Sequence, residues 1–242
     1  MNQVISQLKE RKSVRVFTDR PITPEETTAI LEAAVNAPTA GNQQLYTIIH
    51  VTDSALKKQL AESCDHQPFI AQAPLVLVFC ADCRKWYEAF CAFDCQPRDP
   101  GVGDLMLAVS DTNIAAQNAV VAAHSLGIGS CYIGDIMENA ETQRKLLNLP
   151  EYVFPAAMLV FGYPAPSQLE REKPPRADLC HIVHENGYRE MDKEELQEMF
   201  SCKTGIKSFD EWIKAFCNRK YNSDFSREMT RSVEVFLQDF RK

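Results

Sequence analysis

The sequence predicts an α+β fold, and three observations predict it. A capped-helix signature, two apolar or β-branched runs of strand length, and one long segment without Gly or Pro are interleaved along the chain. Strand–helix–strand units recur too seldom for a doubly wound parallel sheet, which leaves α+β as the class.

The first element is "TPEETTAILEAAVNAP", residues 23 to 38. Thr23 is placed as N-cap, Pro24 occupies the first helical position, Glu26 stands three residues after the cap, and apolar spacing continues until Pro38. "LYTIIHV" (45 to 51) and "PLVLVFCA" (74 to 81) then read as strands of a covered sheet. The segment "DLMLAVSDTNIAAQNAVVAAHSL" between Gly103 and Gly127 is apolar nearly all round, which predicts a long helix in the middle of the protein. A short strand "GSCYIG", a helix "NAETQRKLLNL" ended by Pro150, and a strand "VFPAAMLVFGY" follow, before the Pro-rich exit "PAPSQLEREKPPR". After about residue 190 the composition shifts to charged helical segments, so residues 1–190 are expected to form the main domain and 191–242 a helical extension of it.

With 242 residues, 45% of them hydrophobic and 24% charged, the chain can bury a real core. A formal charge of -7 argues against a general nucleic-acid binder, which needs a basic face to release counterions. No apolar run approaches the roughly 20 residues that span a bilayer, and "MNQVISQLKERK" lacks the apolar stretch of a secretory signal, so a cytoplasmic location without membrane contact is expected. Nine cysteines in such a chain are expected to be reduced thiols.

Two stretches could carry chemistry. In "RKSVRVF" (11 to 17), extended backbone would turn Arg11, Ser13 and Arg15 to one face and Val14 and Val16 to the core. Two guanidiniums and a hydroxyl on one face suit a phosphomonoester, and the same pattern also describes an amphipathic edge with solvated charges. In "APTAGNQQLY" (37 to 46), Thr39, Asn42 and Gln44 offer the donors and acceptors that a flat heterocycle would need, although Pro, Gly and Asn are also ordinary turn residues.

Other clusters are weaker. The pairs Cys80/Cys83 and Cys91/Cys95 imitate a metal site only in part, because Cys80 ends an apolar strand run and the second pair is separated by three residues. His181 and His184 lie in a segment expected to be extended, which would turn their rings to opposite sides, and His124 is expected to be a packing residue of the long helix. No metal ligand set is assigned. No G-x-S-x-G, H-E-x-x-H or P-loop pattern is present to carry hydrolase or kinase chemistry.

Taken together, "RKSVRVF" before a capped helix, "APTAGNQQ" before the first strand, the long helix and "GIGSCYIGD" after it resemble the FMN-dependent nitroreductase family. "QPFIAQAPLVLVFCAD", "DTNIAAQNAVVAAHSLGIGSCYIGD", "KPPR", "VHENGY" and the helical tail are most similar to its larger, NADPH-preferring group of oxygen-insensitive nitroreductases and flavin reductases. The resemblance implies a mostly antiparallel central sheet flanked by helices around the long one, with a C-terminal helical extension. It also implies a homodimer, with FMN at the subunit interface and NADPH or NADH as donor.

Residue by residue, the resemblance implies that Arg11 and Ser13 hold the FMN phosphate, Lys12 adds a contact, and Arg15 lies by the N1/O2 edge, where a cation favours hydride acceptance. Thr39, Gly41, Asn42 and Gln44 match a second flavin segment, Gln67 a flavin-contacting amide, and Tyr132, Ile133 and Gly134 the loop lining the ring; relatives often have a glycine where this chain has Asp135. Arg176 matches a phosphate ligand, with Lys173 displaced by one position, and Arg219 and Lys220 are the candidates for reading the NADPH 2′-phosphate. The function implied is hydride transfer from NAD(P)H through flavin N5 to a nitroaromatic, quinone or free flavin, with no catalytic acid or base. A flavin-binding sensory protein and a cysteine-cluster redox module are the alternatives.

Overall fold

A computed structural model describes residues 2–205 and 208–241 of the chain. It contains two compact units, one of residues 1–171 with 228–242, the other of residues 172–227. The division differs from the one expected at residue 190, because the last helix brings Phe236 and Phe240 back into the core of the first unit.

The first unit runs α1 (Gln3–Glu10), α2 (Pro24–Val35), β1 (Tyr46–His50), α3 (Ser54–Ser63), α4 (Pro68–Gln72), β2 (Leu75–Asp82) and α5 (Arg84–Ala92). It continues through α6 (Val102–Ser125), β3 (Gly129–Ile133), α7 (Ala140–Leu147), β4 (Val153–Gly162) and α8 (Pro166–Glu170). The second unit holds α9 (Lys193–Ser201) and α10 (Phe209–Lys220), and α11 (Asp224–Leu237) starts in the second unit and ends in the first. The α+β class and all four sheet strands match the sequence expectation. The helices α1, α3 and α5 were not among the elements expected from the sequence.

The sheet has the order β1-β2-β4-β3 with every pairing antiparallel. The two central strands are buried along their whole length, which is why both read as unbroken apolar runs. Their alternate side chains feed two cores. Leu75, Leu77, Phe79, Leu159 and Phe161 meet Ile30, Ala34 and the alanines 115, 116, 119 and 123 of α6. Val76, Val78, Met158 and Val160 face the other way, toward Leu60, Ile70, Leu147 and Phe236. The small residues on α6 let that helix lie close to the sheet. The N-terminus of α2 carries the expected capping box between Thr23 and Glu26, and the same Glu26 carboxylate accepts from the Tyr163 hydroxyl at the end of β4.

β3 is an edge strand, and its open side is met by the segment before α2. Ser13 bridges Ser130, and the Val14 amide donates to the Ser130 carbonyl at 2.9 Å. The segment then crosses to the far end of β4, where Phe17 bridges Pro164 and the Ala165 amide donates to the Val16 carbonyl. This crossing corrects one expectation: Val14 is 5% exposed, but Val16 is 49% exposed, because regular alternation ends where the segment leaves β3.

In the second unit, Trp212 packs against Phe216 with ring centres 5.2 Å apart, with Phe209 and Phe200 beside it. Residues 179–181 form a turn of 3-10 helix, so the His181–His184 segment is not extended; the His184 Nδ1 accepts from the Arg189 amide instead, which folds the chain back.

Two glycines make room for the crossing. A Cβ at Gly129 would lie 2.6 Å from Val14 Cγ2, and one at Gly162 would lie 2.5 Å from Phe17 Cδ1 and 2.9 Å from Pro74 Cδ. Gly129→Ala and Gly162→Ala are each expected to lower unfolding free energy by about 1–3 kcal/mol in urea titrations. Gly103→Ala, on a helical position where the added methyl meets nothing within 4 Å, is expected to be neutral or to stabilise by up to about 1 kcal/mol. Equal effects at all three positions would contradict the steric account.

Candidate functional site

The crossing segment forms the first wall of the site. Arg11 closes α1 as its C-cap, and its guanidinium lies 6.0 Å from the centre of the Tyr132 ring. The Arg15 guanidinium lies 6.0 Å from the Phe69 ring on α4. Arg11, Ser13 and Arg15 also converge electrostatically on Cys131. Burial pushes that thiol up, and Arg15, Ser13 and Arg11 each pull it down. Alternate residues therefore do gather on one side of the segment, around β3.

Lys12 points elsewhere. Its ammonium donates to the carbonyls of Leu169 and Arg171, while the Arg171 guanidinium donates back to the Ser13 carbonyl. The Gln168 side chain accepts from the Arg15 amide at 3.2 Å. These bonds clasp the segment between β3 and the chain around α8, so Lys12 holds the backbone that presents its neighbours.

The second wall is the segment between α2 and β1. Gly41, Asn42 and Gln44 all have positive φ, at 56°, 57° and 51°. Gly41 and Asn42 are exposed and Gln44 is half-buried, with its amide nitrogen on the Val35 carbonyl at 3.2 Å. The Thr39 hydroxyl donates to the Asp111 carboxylate and accepts from the Gln44 amide at 2.7 Å. Sequence reasoning missed Asp111. The available signal was a carboxylate in the middle of α6 at core spacing from Ala108 and Ala115.

Gln67 is the N-cap of α4, two residues before Phe69, and its side-chain nitrogen donates to the Cys64 carbonyl at 2.8 Å. Tyr132 is half-buried; burial raises its phenol to about 12 against the pull of Arg11, and its hydroxyl meets Gln117 Oε1 at 3.4 Å. The Ile133 side chain is in the core, so only its backbone can line a site. Gly134 is exposed, and an added Cβ there would meet nothing within 4 Å. That open backbone beside two guanidiniums and a hydroxyl fits a ligand that joins a phosphate to a flat ring.

Lys173, Arg176, Arg219 and Lys220 belong to the second unit. Arg176 is exposed, with a long contact to the Pro174 carbonyl at 3.4 Å. Arg219 and Lys220 end α10, lying 5.4 Å and 5.8 Å from the rings of Phe216 and Phe225. Among the cysteines, Cys80 and Cys83 are buried and their thiols are raised to about 12, chiefly by burial, while Cys91 and Cys95 are exposed.

One further group stands behind the Gly134 loop. Glu138 is 6% exposed, and its Oε1 has no hydrogen-bond partner among the described residues. Burial, then Asp135, Asp65 and Glu228, push its carboxyl up to about 7.

Residues 8–163 match the model of the Nitroreductase family. The chain is 32% identical over 241 residues to an FMN reductase [NAD(P)H] of Bacillus subtilis, covering 98% of this chain and 92% of that protein. It is 37% identical over 194 residues to an oxygen-insensitive NADPH nitroreductase of Salmonella typhimurium, covering 80% and 78%. The solved structure of NfrA2 from B. megaterium superposes with a TM-score of 0.83 at 30% identity, covering 98% of each chain.

Because the Glu138 pKa is raised in the folded state, the fold holds a proton that the unfolded chain has released between about pH 4.5 and about pH 7. Stability contributed by this group is therefore lost as pH rises through that window. Glu138→Gln is expected to leave stability at pH 4 nearly unchanged and to raise it at pH 8 by about 1–3 kcal/mol relative to the parent. Urea midpoints that shift in parallel at both pH values would refute this.

Proposed function

The chain belongs to the nitroreductase family, and from that premise we propose that it is an FMN-dependent oxidoreductase. It takes hydride from NADPH or NADH and passes it, in a ping-pong cycle, to a small electron-poor acceptor such as a nitroaromatic, a quinone or free flavin. The observation that carries this reading is the gathering of Arg11, Ser13 and Arg15 beside Cys131 and Tyr132, next to the open backbone of Gly134.

Bound FMN supplies both acceptance and donation of hydride, so no side chain is asked to act as general acid or base. What the protein contributes is binding and charge. Arg11 and Ser13 offer a guanidinium fork and a hydroxyl to a phosphate. Arg15 supplies positive charge for a ring system that gains electron density. The Tyr132–Gly134 backbone, Gln67 and the Gly41–Gln44 segment would line the ring. Arg219 and Lys220 are assigned to the 2′-phosphate of NADPH, a reading supported by their adjacency at the end of α10.

The same reading includes a homodimer and a cytoplasmic location. Val4, Ile5 and Leu8 on α1 and Met106, Leu107 and Ile114 on α6 are all exposed, and apolar faces of this kind suit a second subunit. All nine cysteines are free thiols, as a reducing compartment would keep them. Among the described residues no helix is long and apolar enough to cross a membrane.

The purified protein is expected to carry a flavin absorption band, to release FMN on denaturation, and to consume NADPH rapidly with a nitrofuran or quinone. A protein that stays colourless when incubated with FMN would sink the proposal. Arg11→Ala is expected to weaken FMN binding by roughly 1.5–3 kcal/mol, measured by flavin fluorescence quenching, as one charged hydrogen-bonding contact is lost. The double variant Arg219→Ala/Lys220→Ala is expected to raise KM for NADPH on the order of tenfold and to leave KM for NADH unchanged. Equal shifts for both donors would remove the assignment.

A further inference from the structure

A carboxylate at position 111 is out of place in its own helix. Asp111 is 2% exposed, in a run where Ala108, Ala115 and Ala116 pack into the sheet, and burying a carboxylate is costly unless its oxygens are satisfied. None of its hydrogen-bond partners is a cation. They are the Thr39 hydroxyl, the Ala40 amide at 3.0 Å and the Leu45 amide at 3.4 Å. Every one lies in the segment between α2 and β1.

That segment does not hold its shape by itself. Gly41, Asn42 and Gln44 are left-handed, a conformation that Gly adopts freely and Asn tolerates but in which Gln is strained. Asp111 holds the segment near both ends, at Ala40 and at Leu45, and Thr39 passes the hold inward by accepting from the Gln44 amide. The far side is fixed by Trp86, whose indole Nε1 donates to the Gln43 carbonyl at 2.8 Å. Between these ties, Gly41 and Asn42 stand exposed.

The helix that carries Asp111 also reaches the opposite wall. Gln117, six residues further along α6, meets the Tyr132 hydroxyl, and six residues on a rigid helix are about 9 Å of axial rise. α6 thus ties the Gly41–Gln44 wall and the Tyr132 wall to one rigid element.

We propose that Asp111 is a positioning residue whose buried carboxylate, acting through Thr39, holds the Gly41–Gln44 segment in its ligand-facing conformation. The proposal rests on the reading of this site as the flavin site. It also gives Thr39 a new role: its hydroxyl is engaged by Asp111 and by the Gln44 amide, so it serves the segment rather than the ligand.

The test uses Asp111→Asn, Thr39→Val and Thr39→Ser in a Trp212→Phe background, which leaves Trp86 as the one tryptophan. Each protein is titrated with FMN, and the emission of Trp86 is recorded without FMN. Asp111→Asn and Thr39→Val are expected to weaken FMN binding by about tenfold or more and to shift Trp86 emission to the red; Thr39→Ser, which keeps the hydroxyl, is expected to stay within about threefold of the parent. Should Asp111→Asn fail to fold, the Thr39 pair carries the comparison. A lowered melting temperature with FMN affinity within about twofold of the parent would make Asp111 a fold residue only and overturn the proposal. A parent protein that binds no FMN at all would overturn the flavin reading and this role with it. In that case Trp86 emission still reports separately whether Asp111 holds the segment.

Discussion

The open edge of β3 is the constraint on which the site depends. An unpaired strand edge exposes a row of backbone donors and acceptors that must be covered or paired. Here the edge is met by the segment that carries Arg11, Ser13 and Arg15, through the bond from the Val14 amide to the Ser130 carbonyl. Satisfying the edge and delivering the cations are one event. With Val14 buried over Gly129 and Phe17 over Gly162, the residues on the other side of the segment are turned toward Tyr132 and Phe69. The clasp made by Lys12, Gln168 and Arg171 closes the segment from outside, so two guanidiniums are presented without long surface side chains having to find their own place.

The central helix solves a different problem, the distance between the walls. Its alanines bring it against the sheet, and a close helix has little freedom to tilt or slide. From that fixed position Asp111 and Gln117 reach the segment before β1 and Tyr132 of β3, which lie far apart in sequence. The cost of burying a carboxylate is offset only if the loop supplies its donors, which makes the helix and the Thr39–Leu45 segment mutually dependent.

How much of this was legible in the sequence follows from how local each signal is. The α2 capping box and the unbroken runs of β2 and β4 are local, and the structure has them where the pattern put them. The antiparallel character of the sheet came from the resemblance and its strand order came only from the structure, because apolar runs alone carry no pairing partner. Arg11, Ser13 and Arg15 were legible as one face, but the exposure of Val16 was not, since it depends on a crossing to β4 that only Gly162 and Phe17 together permit. Lys12 and Thr39 look like ligand contacts in a motif. Their actual partners, the Leu169 carbonyl and Asp111, stand 157 and 72 residues away, a separation that no spacing rule can read. The return of Phe236 and Phe240 to the core was hidden in the same way, inside a tail rich in charged residues.

Charge near the Gly134 loop completes the account. Asp135 brings a carboxylate next to the Gly134 backbone, and Asp135, Asp65 and Glu228 each lie within electrostatic reach of the buried Glu138. Fully ionised, this group would oppose the field of Arg11 and Arg15, which an anionic ligand needs. The fold moderates the conflict by different means at different members. Glu228 is bound by Arg231 and Ser232 and held down to about 2, so its charge is already paired. Glu138, buried beside its acidic neighbours, is pushed up to about 7 and is largely neutral below that pH. On the Gly134 side the carboxylates are moderated by the burial of Glu138 and by the pairing of Glu228 with Arg231, while the cations of the crossing segment are fixed by the edge of β3.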